Sequence, residues 1–107
     1  MEEEKIHQNC PVSKFTDMLG GKWKLIIISK LRNRDRMRFG QLAVSIPTIS
    51  RKVLTDQLKD LEKNNLVMRE YFAEIPPKVE YSLTEKSKKL CSVFRSIEEW
   101  SNENDTL

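Results

Sequence analysis

The sequence predicts a mainly α-helical domain with one small β-hairpin, arranged around a long amphipathic helix. Residues 46–65 read IPTISRKVLTDQLKDLEKNN, where Leu54, Leu58 and Leu61 form a narrow apolar stripe at helical spacing. After residue 65 the period changes, and two short alternating segments flank a loop that contains two prolines. These observations give one long surface helix followed directly by a hairpin.

Length and composition fit one domain with a small core. The chain has 107 residues, of which 38% are hydrophobic and 33% are charged, so we expect a dimer interface to complete the core. Residues 21–63 hold eleven Lys and Arg against four Asp and Glu, a local net charge of +7 within a chain of net charge +3. A basic middle between acidic ends predicts a surface that binds a polyanion.

The start of the chain, MEEEKIHQNC, lacks the basic and then apolar pattern of a signal peptide. No apolar run approaches the roughly 18 residues of a membrane span. We therefore expect a cytoplasmic protein with no membrane partner, in which Cys10 and Cys91 are thiols at rest.

The first predicted helix starts at Pro11, because proline is favoured at the first helical position, and stops at Gly20-Gly21. A second, nearly all-apolar helix follows at residues 22–31, although its three consecutive isoleucines could equally form a buried strand. Its length and its terminal Lys30 and Arg32 favour a helix, and Trp23 is expected in the core. We expect a domain over residues 10–101, with flexible segments at 1–9 and 102–107.

A helix-turn-helix is predicted next. Residues 38–40 can pair briefly as a strand, and a short helix over 40–45 buries Leu42, with Val44 as a second candidate for burial. A turn at Pro47 leads into the long helix, with Thr48 or Ser50 as its N-cap. Asn64-Asn65 ends this helix, because asparagine tolerates the left-handed conformation.

A hairpin and a last helix complete the chain. Residues 66–71 and 79–83 are the predicted strands, and the prolines between them stiffen the connecting loop. Thr84 caps the last helix. A core helix is one interpretation of its apolar residues, but the monomer core is small, so we expect this helix to pack against a second subunit. Its apolar residues are Leu90, Val93, Phe94, Ile97 and Trp100.

The polar face of the long helix is a candidate DNA-binding surface. Its first two turns are rich in hydrogen-bond donors at the end where the helix dipole favours anions, and such a helix fits the major groove. A cationic helix face is often only solvated, but a hairpin directly after the helix favours DNA contact. The candidates are Ser50, Arg51, Lys52, Thr55 and Lys59 on the helix, with Lys78 beside the prolines and Arg38 at the base of the hairpin.

Individual roles differ among these candidates. Ser50 is expected to cap the helix or bind a phosphate, because it lies near the leucine stripe. Whether Arg51 and Lys52 meet a base edge or a phosphate stays open. Lys22 and Lys24 are weaker candidates for phosphate contact.

Five blocks in order resemble HxlR-type winged helix-turn-helix transcriptional regulators of the MarR-like superfamily. The blocks are CPV, LGGKWKLIII, RFGQL, ISRKVLTDQLKDLE and PPKVEYSLTEKSKKL, and the resemblance runs from Cys10 to Trp100. It implies a homodimer on a palindromic operator, joined through the first and last helices, with the long helix in the major groove and the hairpin as a wing on the flanking backbone. Thr48, Asn65 and Ser87 stand where members often have glycine. Thr48 could shift the turn, Asn65 should still cap the helix, and Ser87 should not matter.

Cys10 is a candidate redox sensor. It directly precedes Pro11 at a predicted helix N-terminus, where exposed amides and the helix dipole stabilise a thiolate. The resemblance implies the same role, because many members sense oxidants or electrophiles through a thiol at this position. An inert thiol buried in a dimer is the alternative. Cys91 is expected to be inert, and no cysteine lies near the long helix.

The sequence shows no enzyme constellation, cofactor motif or metal-ligand spacing, and its one histidine is His7. We therefore expect a homodimeric, sequence-specific transcriptional regulator that binds double-stranded DNA. Two alternatives stay open. One is a ligand-responsive or constitutive regulator without a thiol switch. The other is a winged-helix module that binds proteins, for which the +7 charge of residues 21–63 would not be needed.

Overall fold

A computed structural model describes residues 10–104 of the chain. In order, the elements are α1 (Pro11–Leu19), α2 (Lys24–Arg32), β1 (Met37–Arg38), α3 (Phe39–Ser45), α4 (Arg51–Lys63), β2 (Val67–Phe72), β3 (Lys78–Leu83), α5 (Glu85–Lys88) and α6 (Cys91–Glu103). The mainly helical class with a small sheet is confirmed. The flexible segment expected at residues 1–9, which includes His7, lies outside the described residues, and so does the end of the segment expected at 102–107. Helix α6 continues past residue 101 to Glu103.

The three strands form one antiparallel sheet in the order β1-β3-β2. Strands β2 and β3 form the predicted wing, and their pairing runs from Val67 opposite Leu83 to Phe72 opposite Lys78. Strand β1 lies at Met37–Arg38, slightly earlier than the predicted 38–40, and pairs with the middle of β3. Because α3 follows β1 directly, this pairing attaches the helix-turn-helix to the wing.

The core lies between α2, α4 and the base of the sheet. Both helices contribute fully buried side chains, namely Ile27, Ile28 and Leu31 from α2 and Leu54, Leu58 and Leu61 from α4. The isoleucine run is therefore a helix, as predicted. No helix within residues 10–104 is long and apolar enough to cross a membrane.

Two expectations about burial are wrong. Val44 is 79% exposed, whereas Leu42 is fully buried, because residues two apart in a helix point to nearly opposite sides. Trp23 is half-buried at the start of α2, where it packs against the edge of the core. The ammonium of Lys22 lies 4.7 Å from the ring centroid of Trp23.

The end of α4 follows from its asparagine pair. Asn65 adopts φ 59°, the left-handed conformation. The N–H of Leu66 donates to the carbonyl of Leu61 at 2.8 Å, and the N–H of Asn65 donates to that of Glu62 at 3.0 Å. These two bonds form a Schellman motif, with buried Leu61 and Leu66 as its apolar pair. Asn65 therefore terminates the helix as a glycine would at this position, as predicted.

The last predicted helix is divided into α5 and α6, and Ser87 in α5 has a structural role that we did not expect. Its side chain is buried, and its hydroxyl donates to the carbonyl of Leu66. Thr84 caps α5 as predicted, since its hydroxyl accepts the N–H of Ser87 at 3.2 Å, and it also donates to the carbonyl of Asn65 at 2.8 Å. These bonds attach the turn after α4 to α5.

Replacing Ser87 by alanine is therefore expected to lower the free energy of unfolding by about 1–3 kcal/mol, because it removes the hydroxyl donor of a buried carbonyl. Urea unfolding at one fixed protein concentration measures the effect, since self-association of any kind makes the measured stability depend on concentration. Ser92→Ala is the matched control, because Ser92 is exposed in α6, and it should change stability by less than about 0.5 kcal/mol. Equal stability of the two variants would contradict the role of Ser87.

Candidate nucleic-acid interface

Helix α4 is held against the core along one face and presents the other to solvent. Its three leucines are buried, whereas Arg51, Lys52 and Lys59 are exposed. An ion pair of 2.9 Å between Lys24 Nζ and Asp60 Oδ2 joins α2 to α4. The side chain of Lys24 is only 14% exposed there, so this weaker candidate contributes to the packing of the helix.

Ser50 is the N-cap of α4, and its Oγ accepts the N–H of Val53 at 3.1 Å. Of the two predicted caps, the structure therefore selects Ser50, and Thr48 lies exposed in the preceding turn. The cap fixes where the helix starts. It consequently places Arg51 and Lys52 in the first turn, where backbone amides lack partners within the helix.

Arg51 and Lys52 extend from this first turn in different surroundings. The guanidinium carbon of Arg51 lies 5.6 Å from the ring centroid of Phe39. This is a cation–π contact with α3, the first helix of the helix-turn-helix. The side chain of Lys52 is 87% exposed and lies 3.3 Å from Asp56 one turn later. Such an exposed pair contributes little energy, so a phosphate can replace Asp56 at small cost.

A groove separates α4 from the wing. It has a volume of about 380 Å³ and is lined by Thr55, Leu58, Lys59, Glu62, Arg69 and Tyr81. Thr55 is half-buried at its edge, and its hydroxyl donates to the carbonyl of Arg51 at 2.8 Å. Arg69 on β2 was not among the predicted site residues. Arg69 lies near α4 only because the wing packs beside that helix, and the sequence around Arg69 does not indicate this packing.

Lys78 lies at the start of β3, at the outer end of the wing. Its side chain is 28% exposed, and its Nζ lies 3.3 Å from Glu74 Oε2. The same ammonium lies 4.8 Å from the ring centroid of Phe72 on the opposite strand. Lys78 is thus a partly covered cation, held in place by an aromatic ring and a carboxylate.

Arg36, in the loop between α2 and β1, joins the two strands of the wing, and sequence reasoning missed it. Glu70 and Glu80 are directly opposite each other in the sheet, an arrangement that is destabilising for like charges. The Nη1 atom of Arg36 lies 3.3 Å from Glu70 Oε1 and 3.5 Å from Glu80 Oε1. This guanidinium therefore offsets the repulsion and ties the wing to the loop.

Arg38 is exposed at the end of β1 and directly precedes α3. Its backbone N–H donates to Gln41 Oε1 at 2.9 Å.

Cys10 is half-buried directly before α1, and its carbonyl accepts the N–H of Lys14 at 3.0 Å. Cys91 is half-buried at the start of α6. Across residues 10–104, no group of three or more His, Cys, Asp or Glu is placed to hold a metal ion.

The order of elements, a short helix, a turn, a capped basic helix and a two-stranded wing, is that of a winged helix-turn-helix. The model of one family, the HxlR-like helix-turn-helix, matches residues 18–106. The chain belongs to the HxlR-like helix-turn-helix family. This confirms the resemblance drawn from the five sequence blocks.

Solved structures similar to this HxlR-like chain are transcriptional regulators. A regulator of the MarR family from Porphyromonas gingivalis superposes with a TM-score of 0.84 at 40% identity, covering 91% of this chain and 94% of that one. The redox regulator HypR in its oxidised form gives 0.81 at 38% identity, with 88% and 96% covered. YodB from Bacillus subtilis in its reduced form gives 0.77 at 38% identity, with 88% and 92% covered.

YodB has also been solved after diamide treatment and with quinone bound. These similarities make the HxlR-like chain a transcriptional regulator of the helix-turn-helix type. They also support a non-enzymatic role.

Proposed function

We propose that this protein binds a palindromic operator as a homodimer in the cytoplasm and regulates transcription there. The observation that carries the proposal is the exposed cationic face of α4, opposite its buried leucines. Base edges and phosphates of the major groove accept hydrogen bonds from such side chains. The local charge of +7 over residues 21–63 supplies attraction to DNA of any sequence.

The proposed contacts follow from the position of each side chain. Arg51 and Lys52 lie in the first turn of α4, the part of a recognition helix that reaches base edges. Thr55 and Lys59 follow along the helix, and Ser50 lies at its N-terminus, where a phosphate binds. Lys78 on the wing and Arg38 on β1 are proposed to contact the flanking backbone.

The homodimer is proposed to form through α1 and α6. Phe94 is the only residue of α6 in the core, whereas Val93, Ile97 and Trp100 are 37%, 43% and 65% exposed at helical spacing. Val12 on α1 is 70% exposed. Exposed apolar residues at such spacing are typical of an interface. A two-fold dimer would present two copies of α4 to half-sites about one DNA turn apart.

Selection from a random DNA library is expected to enrich an inverted repeat that the protein binds with a Kd of about 10⁻⁸ to 10⁻¹¹ M. Each phosphate contact should add about −0.9 to the slope of log affinity against log salt concentration. A scrambled sequence of the same composition is the control. Binding that shows neither enrichment nor salt dependence would favour the protein-binding module.

We also propose that Cys10 senses oxidants or electrophiles. Two relatives support this proposal, since HypR is a redox regulator and YodB has been solved with quinone bound. In this chain Cys10 directly precedes α1 as its N-cap residue, and α1 carries the exposed Val12. A quinone adds to the Cys10 thiol as a bulky adduct, whereas diamide oxidises that thiol and a second thiol to one disulfide and is itself reduced to the hydrazine. Either product would displace α1 in the proposed dimer. That displacement would change the spacing of the two copies of α4.

Diamide or a quinone is accordingly expected to change the operator affinity of the wild-type protein by roughly 5–150-fold, the range of a typical coupling energy. Cys10→Ser should bind the operator without responding, and Cys91→Ser should keep the response unless Cys91 of either subunit is the disulfide partner of Cys10. Gel shifts with and without oxidant, with mass spectrometry of the thiols, measure both effects. An undiminished response in Cys10→Ser would remove Cys10 as the sensor.

A further inference from the structure

The turn that leaves α4 is held through three successive backbone carbonyls, those of residues 64–66. The hydroxyls of Thr84 and Ser87 bind the second and the third of these carbonyls. The first belongs to Asn64, the C-cap of α4, and accepts a hydrogen bond of 3.3 Å from the ammonium of Lys86. A cation is also favoured there because a helix dipole is negative at its C-terminus. Helix α5 and its N-cap thus fix the end of α4.

Lys86 differs from the other two donors, because it also contacts α1. Its Nζ lies 3.6 Å from Sδ of Met18, which is 68 residues away in the chain. Thr84 and Ser87 are buried, whereas Lys86 is exposed, so its side chain can change position without opening the core. One exposed ammonium therefore joins α1 to the turn that ends α4.

Helix α1 is able to move as one piece. Among residues 11–19, all within the described part of the chain, Leu19 alone is buried, and the others are exposed or half-buried. The helix is joined to α2 through Gly20 and Gly21, and Gly21 has φ 93°, which glycine adopts far more readily than other residues. Residues between elements can absorb a hinge motion. A displacement of the N-terminal end would therefore also shift Met18 near the other end.

We propose that Lys86 is a positioning residue, which holds the C-terminal end of α4 and transmits a displacement of α1 to that helix. The buried bonds of Thr84 and Ser87 are the fixed part of the attachment, and the bond of Lys86 is the adjustable part. Because α4 is a single helix of thirteen residues, a tilt at its C-terminal end also re-aims the first turn. The link within the chain stands on these contacts alone. Its effect on the operator rests on the proposed DNA-binding function.

Amide hydrogen exchange of the full chain, followed by mass spectrometry of a peptide spanning residues 61–66, tests the positioning role. Lys86→Met keeps the length of the side chain but removes its donors, and it should speed exchange in this segment about fivefold. A peptide spanning residues 25–31 of α2 should exchange as in wild type, since the core is unchanged.

Two controls accompany this measurement. Lys86→Arg keeps the charge and the donors, and it should exchange within about twofold of wild type. Lys89→Met removes an exposed cation at the C-cap of α5, and it should also remain within about twofold. Equal exchange of residues 61–66 in Lys86→Met and wild type would overturn the positioning role.

Alkylation of Cys10 tests the transmission without DNA. In a Cys91→Ser background, the Cys10 sulfur bonds to one alkene carbon of N-ethylmaleimide, and a proton is added to the other carbon. Labelling in urea followed by refolding makes the modification complete. The adduct places bulk directly before α1 and should speed exchange of residues 61–66 about fivefold.

Two variants show whether this effect passes through Lys86. The adduct should change exchange by less than about twofold when Lys86→Met is added. Met18→Leu removes the sulfur acceptor while keeping an apolar side chain of similar volume, and it should reduce the adduct effect in the same way. An adduct without effect on residues 61–66, or an effect that persists undiminished in Lys86→Met, would overturn the transmission.

Operator affinity tests the consequence for DNA binding. Lys86→Met should weaken binding about fivefold, and both Lys86→Arg and Lys89→Met should change it by less than about twofold. The salt slope of Lys86→Met should equal that of wild type, whereas loss of a direct phosphate contact would reduce it by about 1. Unchanged affinity, or a reduced slope, would overturn the positioning of α4 on the operator. Failure of the DNA-binding proposal would leave the exchange results unaffected, so the two failures can be told apart.

Discussion

Replacing Arg51 or Lys52 by alanine is expected to weaken operator binding by about 1–3 kcal/mol if that side chain reads a base edge, which is roughly 5–150-fold. Both side chains extend from the first turn of α4, whose start is fixed by the Ser50 cap. The cation–π contact of Arg51 with Phe39 orients its guanidinium before DNA binds, so little ordering is needed on binding.

Gel shifts across a range of salt concentrations distinguish the possible roles of the two side chains. Loss of a phosphate contact should weaken binding to all sequences alike and reduce the salt slope by about 1, whereas loss of a base contact should relax specificity at one position. Lys89→Ala is the matched control, because Lys89 is an exposed cation at the end of α5. If Arg51→Ala and Lys52→Ala both bind as tightly as Lys89→Ala, α4 is not the recognition helix.

The parts of the fold that sequence predicted correctly depend on neighbours within one segment. The leucine stripe, the Ser50 cap and the stop at Asn65 each involve residues within about one or two turns. The interactions that stabilise these features can therefore be predicted from the local sequence pattern. The candidate cations on α4 were found in the same way, since the exposed side of a helix follows from its buried side.

The failures involve contacts between distant segments. Ser87 looked neutral because its hydrogen-bond acceptor, the carbonyl of Leu66, is 21 residues away. Arg36 acts on Glu70 and Glu80 only through the register of β2 and β3. Contacts of this kind form only once the tertiary structure brings distant segments together, so the spacing of residues in the sequence does not indicate them.

The same distinction applies to the cations. Lys24 and Arg51 look alike in sequence as basic residues beside apolar ones. Lys24 packs against α4 through Asp60, whereas Arg51 remains exposed. The local charge of +7 thus overstates how many cations face DNA, because some of them hold the fold together.

The exposed apolar face of α6 leads to the other large expected effect. Replacing both Ile97 and Trp100 by glutamate should convert the proposed dimer to a monomer, since two charges would have to be buried in the interface. Both side chains are well exposed in the single chain, so the monomer fold should survive the change. Light scattering measures the mass, and circular dichroism reports whether the helices remain.

The loss of the dimer should also weaken binding to the palindrome by about 10²–10⁴-fold, because the second half-site would no longer be bound intramolecularly. Binding to an isolated half-site should change far less. The matched control places Glu at Ser92 and Asn102, exposed positions of α6 outside the stripe of Val93, Ile97 and Trp100. It adds two charges to the same helix and should leave both mass and affinity unchanged. A dimer that persists in the Ile97 and Trp100 variant would show that the chains associate through another surface, and the spacing of the two copies of α4 would then have to be set there.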